Sequence, residues 1–135
     1  MLAGLGIDIL EVARMERELS RPDHGMRDAV FTADEVRASE READGARYLA
    51  SCFTTKEAVL KALGTGYTGG VSWREIEVTP RRGRAKVELT GRVLEVAERL
   101  GVQSVLASTS HSARHAMSSV VLETQDASRH TTGAT

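Results

Sequence analysis

Between Gly45 and Gly64 the apolar residues Leu49, Phe53, Leu60 and Leu63 recur at helical spacing, and only a long helix brings them onto one side. Any fold for this chain has to bury that stripe. Lys56 falls into it where another apolar residue is expected, and burying an ammonium without a partner is costly. Glu57 and Lys61 stand four apart and project from neighbouring turns. Such a pair is either a solvated surface pair worth about 0.3–0.5 kcal/mol or a carboxylate and an ammonium placed to hold Mg2+ and a phosphoryl group. Gly64-Thr65-Gly66 then ends the helix, either as a plain C-cap or as backbone that lets N–H groups approach a phosphate.

A second constraint lies at the start. Met1 to Leu10 is an apolar run, read as a buried strand, interrupted by one acid, Asp8. Asp8 is either the N-cap of the helix that follows or a metal ligand. Mg2+ typically takes one or two protein carboxylates and leaves its other positions to water and substrate phosphates, so Asp8 and Glu57 would suffice.

Punctuation supplies the remaining elements. A helix from Glu11 to about Leu19 is stopped by Ser20-Arg21-Pro22-Asp23. Thr32-Ala33-Asp34-Glu35 has capping-box spacing and starts a second helix to about Ala43, and the long helix runs from about Gly45 to Leu63. Alternation over Glu75–Thr79 and Ala85–Leu89 predicts a hairpin turning at Arg81-Arg82-Gly83-Arg84. A helix over Thr90–Leu100 follows, then strands over Gln103–Thr109 and Ala116–Glu123 flanking a polar turn, Ser110 to His115. This order predicts an α+β single domain over residues 1–123, an antiparallel sheet packed on a long central helix. Residues 124–135 read as a disordered polar tail.

At 135 residues the chain is one small domain with a high surface fraction, which oligomerisation would relieve. A formal net charge of -1 and 4% aromatic residues argue against nucleic acid as partner. No apolar run approaches the roughly 20 residues of a membrane span. Cys52 is the single cysteine, read as a buried small hydrophobe, so no internal disulfide forms and a reducing cytoplasm is the expected compartment.

Taken together, Gly6-Ile7-Asp8 and, some forty residues on, Phe53-x-x-Lys56-Glu57-Ala58-x-x-Lys61 followed by Gly64-Thr65-Gly66 resemble the signature of the 4'-phosphopantetheinyl transferases. The short chain is similar to their small type. Phe31-Thr32-Ala33-Asp34-Glu35 and Ser110-His111 match further stretches, so the resemblance spans Gly4 to Glu123. It implies Mg2+-dependent transfer of 4'-phosphopantetheine from coenzyme A to a serine hydroxyl of an apo acyl carrier protein, in a homotrimer with sites shared between subunits. Asp8 and Glu57 would then be metal ligands and, with Lys61, the catalytic set. Lys56, Lys61, Gly64, Gly66, Ser110 and His111 would contact coenzyme A, Ser110 and His111 from the neighbouring subunit. The base for the serine proton is either Glu57 or a water on the metal. Arg14, Arg17 and Arg21, on one side of the first helix, would dock the acidic helix of the carrier.

Cys52 stands where many relatives have an arginine, which implies fewer phosphate contacts unless Arg41 or Arg47 compensates. A second reading is a non-catalytic coenzyme A or nucleotide-binding interaction protein on the same fold. Intact Asp8, Glu57 and Lys61 favour the enzyme.

Overall fold

The computed structural model describes residues 1–64 and 70–125. The expectation for Gly66 and that of a disordered tail beyond Gln125 lie outside the described residues. Along the chain come β1 (Leu2–Glu11), α1 (Val12–Leu19), α2 (Gly25–Val30), α3 (Ala33–Glu40) and α4 (Gly45–Leu63). A single 3₁₀ turn (Trp73–Glu75) leads into β2 (Ile76–Pro80), followed by β3 (Ala85–Leu89), α5 (Gly91–Arg99), β4 (Val102–His111) and β5 (His115–Thr124). The strands form one sheet in the order β1-β5-β4-β3-β2, antiparallel throughout, with α4 lying across β1 and β5. An α+β domain of this form is the expected architecture.

Local chemistry sets the helix ends. Thr32 Oγ1 accepts from the Glu35 N–H while a Glu35 carboxylate oxygen accepts from the Thr32 N–H, completing the capping box of α3. Asp44 accepts from the Arg47 N–H at the start of α4. Gly64, at φ 75°, closes α4 with its N–H donated to Leu60 O and Lys61 O. One short helix, α2, is not predicted by the sequence pattern: six residues carry too few periods to register.

Register explains which face of the sheet is dry. Asp8 pairs with Ser118 and Ser118 with Thr109, while Gly6, Val120 and Ala107 form the next aligned row. These rows face α4, where Ser118, Val120, Leu122 and Ala107 are buried. The opposite face leaves Leu5, Ile7 and Ile9 at 72%, 59% and 60% exposure, with Leu106 and Met117 also open. The expectation that β1 is buried is therefore corrected. It is an edge strand with helical cover on one side only, and its apolar character belongs largely to the uncovered face. Asp8 lies inside this strand and the N-cap position of α1 is Glu11, so the capping alternative for Asp8 is also set aside.

Gly4 and Gly6 let β1 lie directly on the helix backbone. A Cβ on Gly6 would overlap Ala58 O, and one on Gly4 would overlap Ala62 O. Gly6→Ala is accordingly expected to lose about 1–3 kcal/mol in denaturant titration as strand and helix separate. Gly25→Ala, whose added carbon makes only ordinary contact with Asp23, serves as the control and should cost nothing. Equal stability of Gly6→Ala and the parent chain would contradict the close approach.

Candidate active site at the crossing of β1 and α4

Because β1 runs so close to α4, the residue two beyond Gly6 meets the helix one turn from its end. Lys61 Nζ donates to Asp8 Oδ1 at 2.9 Å and to Ile7 O at 3.0 Å. Glu57 lies one turn earlier on the same side. Burial lifts its carboxyl above the usual range, the Asp8 charge adds to that lift, and the Lys61 ammonium opposes it. The three residues border a cleft of about 320 Å3, whose apolar wall is Leu10, Met15, Met26 and Phe53. The structure thus brings Asp8, Glu57 and Lys61 together, as the sequence reading expects.

A half-buried carboxylate, Glu57, beside the negative charge of Asp8 suits a dication, which offsets both the burial and the repulsion. Among the described residues no group of three or more His, Cys, Asp or Glu side chains could hold a metal. The donor set fits Mg2+, which needs one or two carboxylates and fills its shell with water and phosphate oxygens.

Beneath this site, Ser118 contacts both Thr54 Oγ1 (2.7 Å) and Thr55 Oγ1 (2.9 Å), and both threonines also bond Ser51 O. These buried hydroxyls tie the strand residue opposite Asp8 to the helix turn before Glu57. Thr54 and Thr55 are structural.

Lys56 is different. Its side chain has no exposed surface, and its ammonium meets Glu35 at 2.7 Å, Val30 O at 2.7 Å and Trp73 O at 3.1 Å, with the Phe31 ring 5.6 Å away. The expectation that Lys56 contacts coenzyme A is corrected: all three ammonium protons have acceptors inside the protein, away from the cleft. Burial pulls its pKa down, and the Glu35 charge and hydrogen bond pull it back. Glu35 was visible only as a capping residue, since its ion pair spans 21 positions. Gly64 is likewise a helix cap whose N–H is already donated, which leaves that group unavailable to a phosphate.

Ser110 and His111 close β4 and are strand residues, not members of the polar turn. They border a second cavity of about 440 Å3 with Arg47, Tyr48, Arg81 and Arg82. It shares no lining residue with the Asp8 cleft. Burial, with help from Cys52, Glu42 and Glu35, pushes the Tyr48 hydroxyl up to about 12, so it stays neutral there. Arg47 belongs to this cavity, whose lining also carries Glu42 and Asp44, and Arg41 does not line it. Cys52 is fully buried, its thiol 3.9 Å from Val78 O and pushed up by that burial.

On α1, Arg14 borders the Asp8 cleft and Arg17 an adjoining hollow with Ile9, Leu10 and His115. Arg21 lies past the helix end, 3.7 Å from Glu18. The three arginines do not therefore form one continuous helical stripe.

Residues 4–119 match the family model of the 4'-phosphopantetheinyl transferase superfamily, and the chain belongs to that family. Within it, a holo-[acyl-carrier-protein] synthase of Geotalea daltonii is 38% identical over 124 residues, covering 91% of this chain and 99% of the relative. Among solved structures, holo-[acyl-carrier-protein] synthase from Neisseria meningitidis matches with a TM-score of 0.79 at 30% identity, over 91% of this chain and 99% of that one. The Helicobacter pylori enzyme in complex with coenzyme A matches at 0.74 and 27% identity, over 88% and 99%.

Glu57 offers a test independent of turnover. Between the ordinary carboxylate value of the unfolded chain and the raised value of the folded one, the folded chain binds more protons, so stability falls as pH rises through that window. Glu57→Gln removes this loss. Its thermal midpoint should exceed the parent's at neutral pH and converge with it below about pH 4. Identical midpoints at neutral pH would contradict a Glu57 carboxyl raised by burial and by the Asp8 charge.

Proposed function

We propose that this chain is a holo-[acyl-carrier-protein] synthase that transfers 4'-phosphopantetheine from coenzyme A to a serine hydroxyl of an apo acyl carrier protein. The observation that carries this reading is the meeting of Asp8, Glu57 and Lys61 at one cleft, within a chain whose relatives bear that name. In the reaction the serine oxygen attacks the phosphorus that carries the pantetheine arm. A new P–O bond forms as the serine proton passes to Glu57 or to a water, the bond to the bridging pyrophosphate oxygen breaks, and adenosine 3',5'-bisphosphate leaves with the electron pair. Little covalent chemistry falls to the protein, so position and charge decide the rate.

Asp8 and Glu57 would hold Mg2+, which neutralises pyrophosphate charge. Lys61, whose ammonium already reaches Asp8, stabilises charge that grows on the leaving phosphate. Leu10, Met15, Met26 and Phe53 keep the cleft wall dry, which strengthens these interactions. Arg14 at the mouth, with Arg17 beside it, receives the acidic helix of the carrier, and Arg21 adds charge from the turn beyond. The reducing compartment that a single buried cysteine suits is the cytoplasm. No helix among the described residues is long and apolar enough to cross a membrane.

The working form is a homotrimer in which one subunit supplies Asp8, Glu57 and Lys61 and its neighbour supplies Ser110 and His111. Two observations support this: the uncovered face with Leu5, Ile7, Ile9, Leu106 and Met117, and the placement of Ser110 and His111 in a separate, arginine-bearing cavity.

Intact-mass measurement of an apo carrier incubated with the chain, coenzyme A and Mg2+ should show the added phosphopantetheine. Asp8→Ala should lose at least about a hundredfold in rate with little change in coenzyme A affinity. Mixing it with inactive His111→Ala chains should restore part of the activity as intact shared sites form. An unchanged carrier mass at saturating coenzyme A would favour the binding-protein reading, and full activity as a monomer would reject shared sites.

A further inference from the structure

Lys56 and Glu35 form a buried ion pair that the proposed chemistry does not touch, and such a pair needs an account. Removing two charges from water is expensive, and apolar residues of similar volume usually serve stability as well or better. What an ion pair adds is direction. The Lys56 ammonium has acceptors from three segments at once: Glu35 on α3, Val30 O at the end of α2 and Trp73 O in the 3₁₀ turn. Glu35 is held equally firmly, accepting from the Thr32 N–H and from the Val78 N–H of β2, each at 2.8 Å. Phe53, one turn before Glu57, stacks on Trp73 at 5.2 Å and ties the same turn to α4.

We infer that the Glu35–Lys56 pair is a rotational key for α4, whose task is to aim the neighbouring Glu57 at Asp8. Side chains reach about 5–6 Å from a helix axis. A rotation of about 20° would therefore carry the Glu57 carboxylate through about 2 Å, whereas metal–ligand distances tolerate about 0.2 Å. An apolar side chain at position 56 would pack without defining that angle. The ammonium, bonded in three directions, defines it. Glu35 and Lys56 are positioning residues; neither lines the Asp8 cleft.

This inference rests on the metal-ligand reading of Asp8 and Glu57, and the test separates the two. Mn2+ affinity of the coenzyme A-free protein is measured by titration for the parent, Asp8→Asn, Glu35→Gln and the double variant Lys56→Met/Glu35→Gln, beside thermal midpoints and single-turnover rates. The double variant leaves no unpaired buried charge, although Val30 O and Trp73 O lose the Lys56 donor, so it should fold with a midpoint below the parent's. Its coenzyme A affinity should also hold, while Mn2+ binds about tenfold more weakly and the single-turnover rate falls about tenfold to a hundredfold. Glu35→Gln keeps an oxygen toward Thr32 N and Lys56 but sets its amide N–H2 group against the Val78 N–H, which breaks the pair's anchor to β2, and it should also weaken Mn2+ binding if the double variant does not fold. Parental Mn2+ affinity and rate in either folded variant would overturn the rotational key and leave the metal reading intact. Failure of Asp8→Asn to weaken Mn2+ binding to a folded protein would instead overturn the metal reading, and the key with it.

Discussion

The contact on which everything else here depends is the backbone approach of β1 to α4, made possible by Gly4 and Gly6. At those positions even a methyl group would overlap the helix carbonyls of Ala62 and Ala58. Strand and helix therefore lie closer than side-chain packing would allow. Two residues beyond Gly6 on the same face, Asp8 on β1 arrives beside Glu57 and Lys61 on α4, the two elements that the glycines bring together. The glycine and the acid in Gly6-Ile7-Asp8 thus have one explanation: the first sets the distance, and the second uses it.

That approach fixes separation along one direction only. Rotation of α4 about its own axis, and its sliding along the sheet, are restrained by groups on its other sides. The hydroxyls of Thr54, Thr55 and Ser118 link it to β5, and Lys56 links it to α3, α2 and the 3₁₀ turn. Their partners are polar and directional, whereas the surrounding core of Val59, Leu60, Val120 and Leu122 is not. Directional bonds near an otherwise apolar helix suit a site in which carboxylate placement matters more than bulk stability.

Much of this was legible in the sequence because it depends on local signals. The end of α4 follows from Gly64, the start of α3 from Thr32 and Glu35, and the strands β2 and β3 from alternation. Glu57 and Lys61 share a side of one helix, so their proximity needs no tertiary knowledge. What stayed hidden depends on partners distant in the chain. Lys56 looked available because nothing near it announces Glu35 as its counter-ion. The apolar residues of β1 looked buried because alternation tells which residues share a face and not what covers it. Ser110 and His111 looked like a turn because polar residues at the end of a strand carry the composition of a loop. The second cavity gathers Arg47, Arg81, Arg82 and His111 from three separate elements or turns, a grouping that no sequence spacing displays.

The central claim is that Asp8 and Glu57, carried to one point by the crossing of β1 and α4, form a single divalent-cation site. Anomalous diffraction from crystals grown with Mn2+ and coenzyme A tests it most directly. The account predicts one Mn2+ peak bonded to both the Asp8 and Glu57 carboxylates, with Lys61 turned from Asp8 toward the pyrophosphate. A peak bonded to neither carboxylate, or coenzyme A bound at full occupancy with Lys61 still on Asp8 and no metal between the two acids, would contradict it.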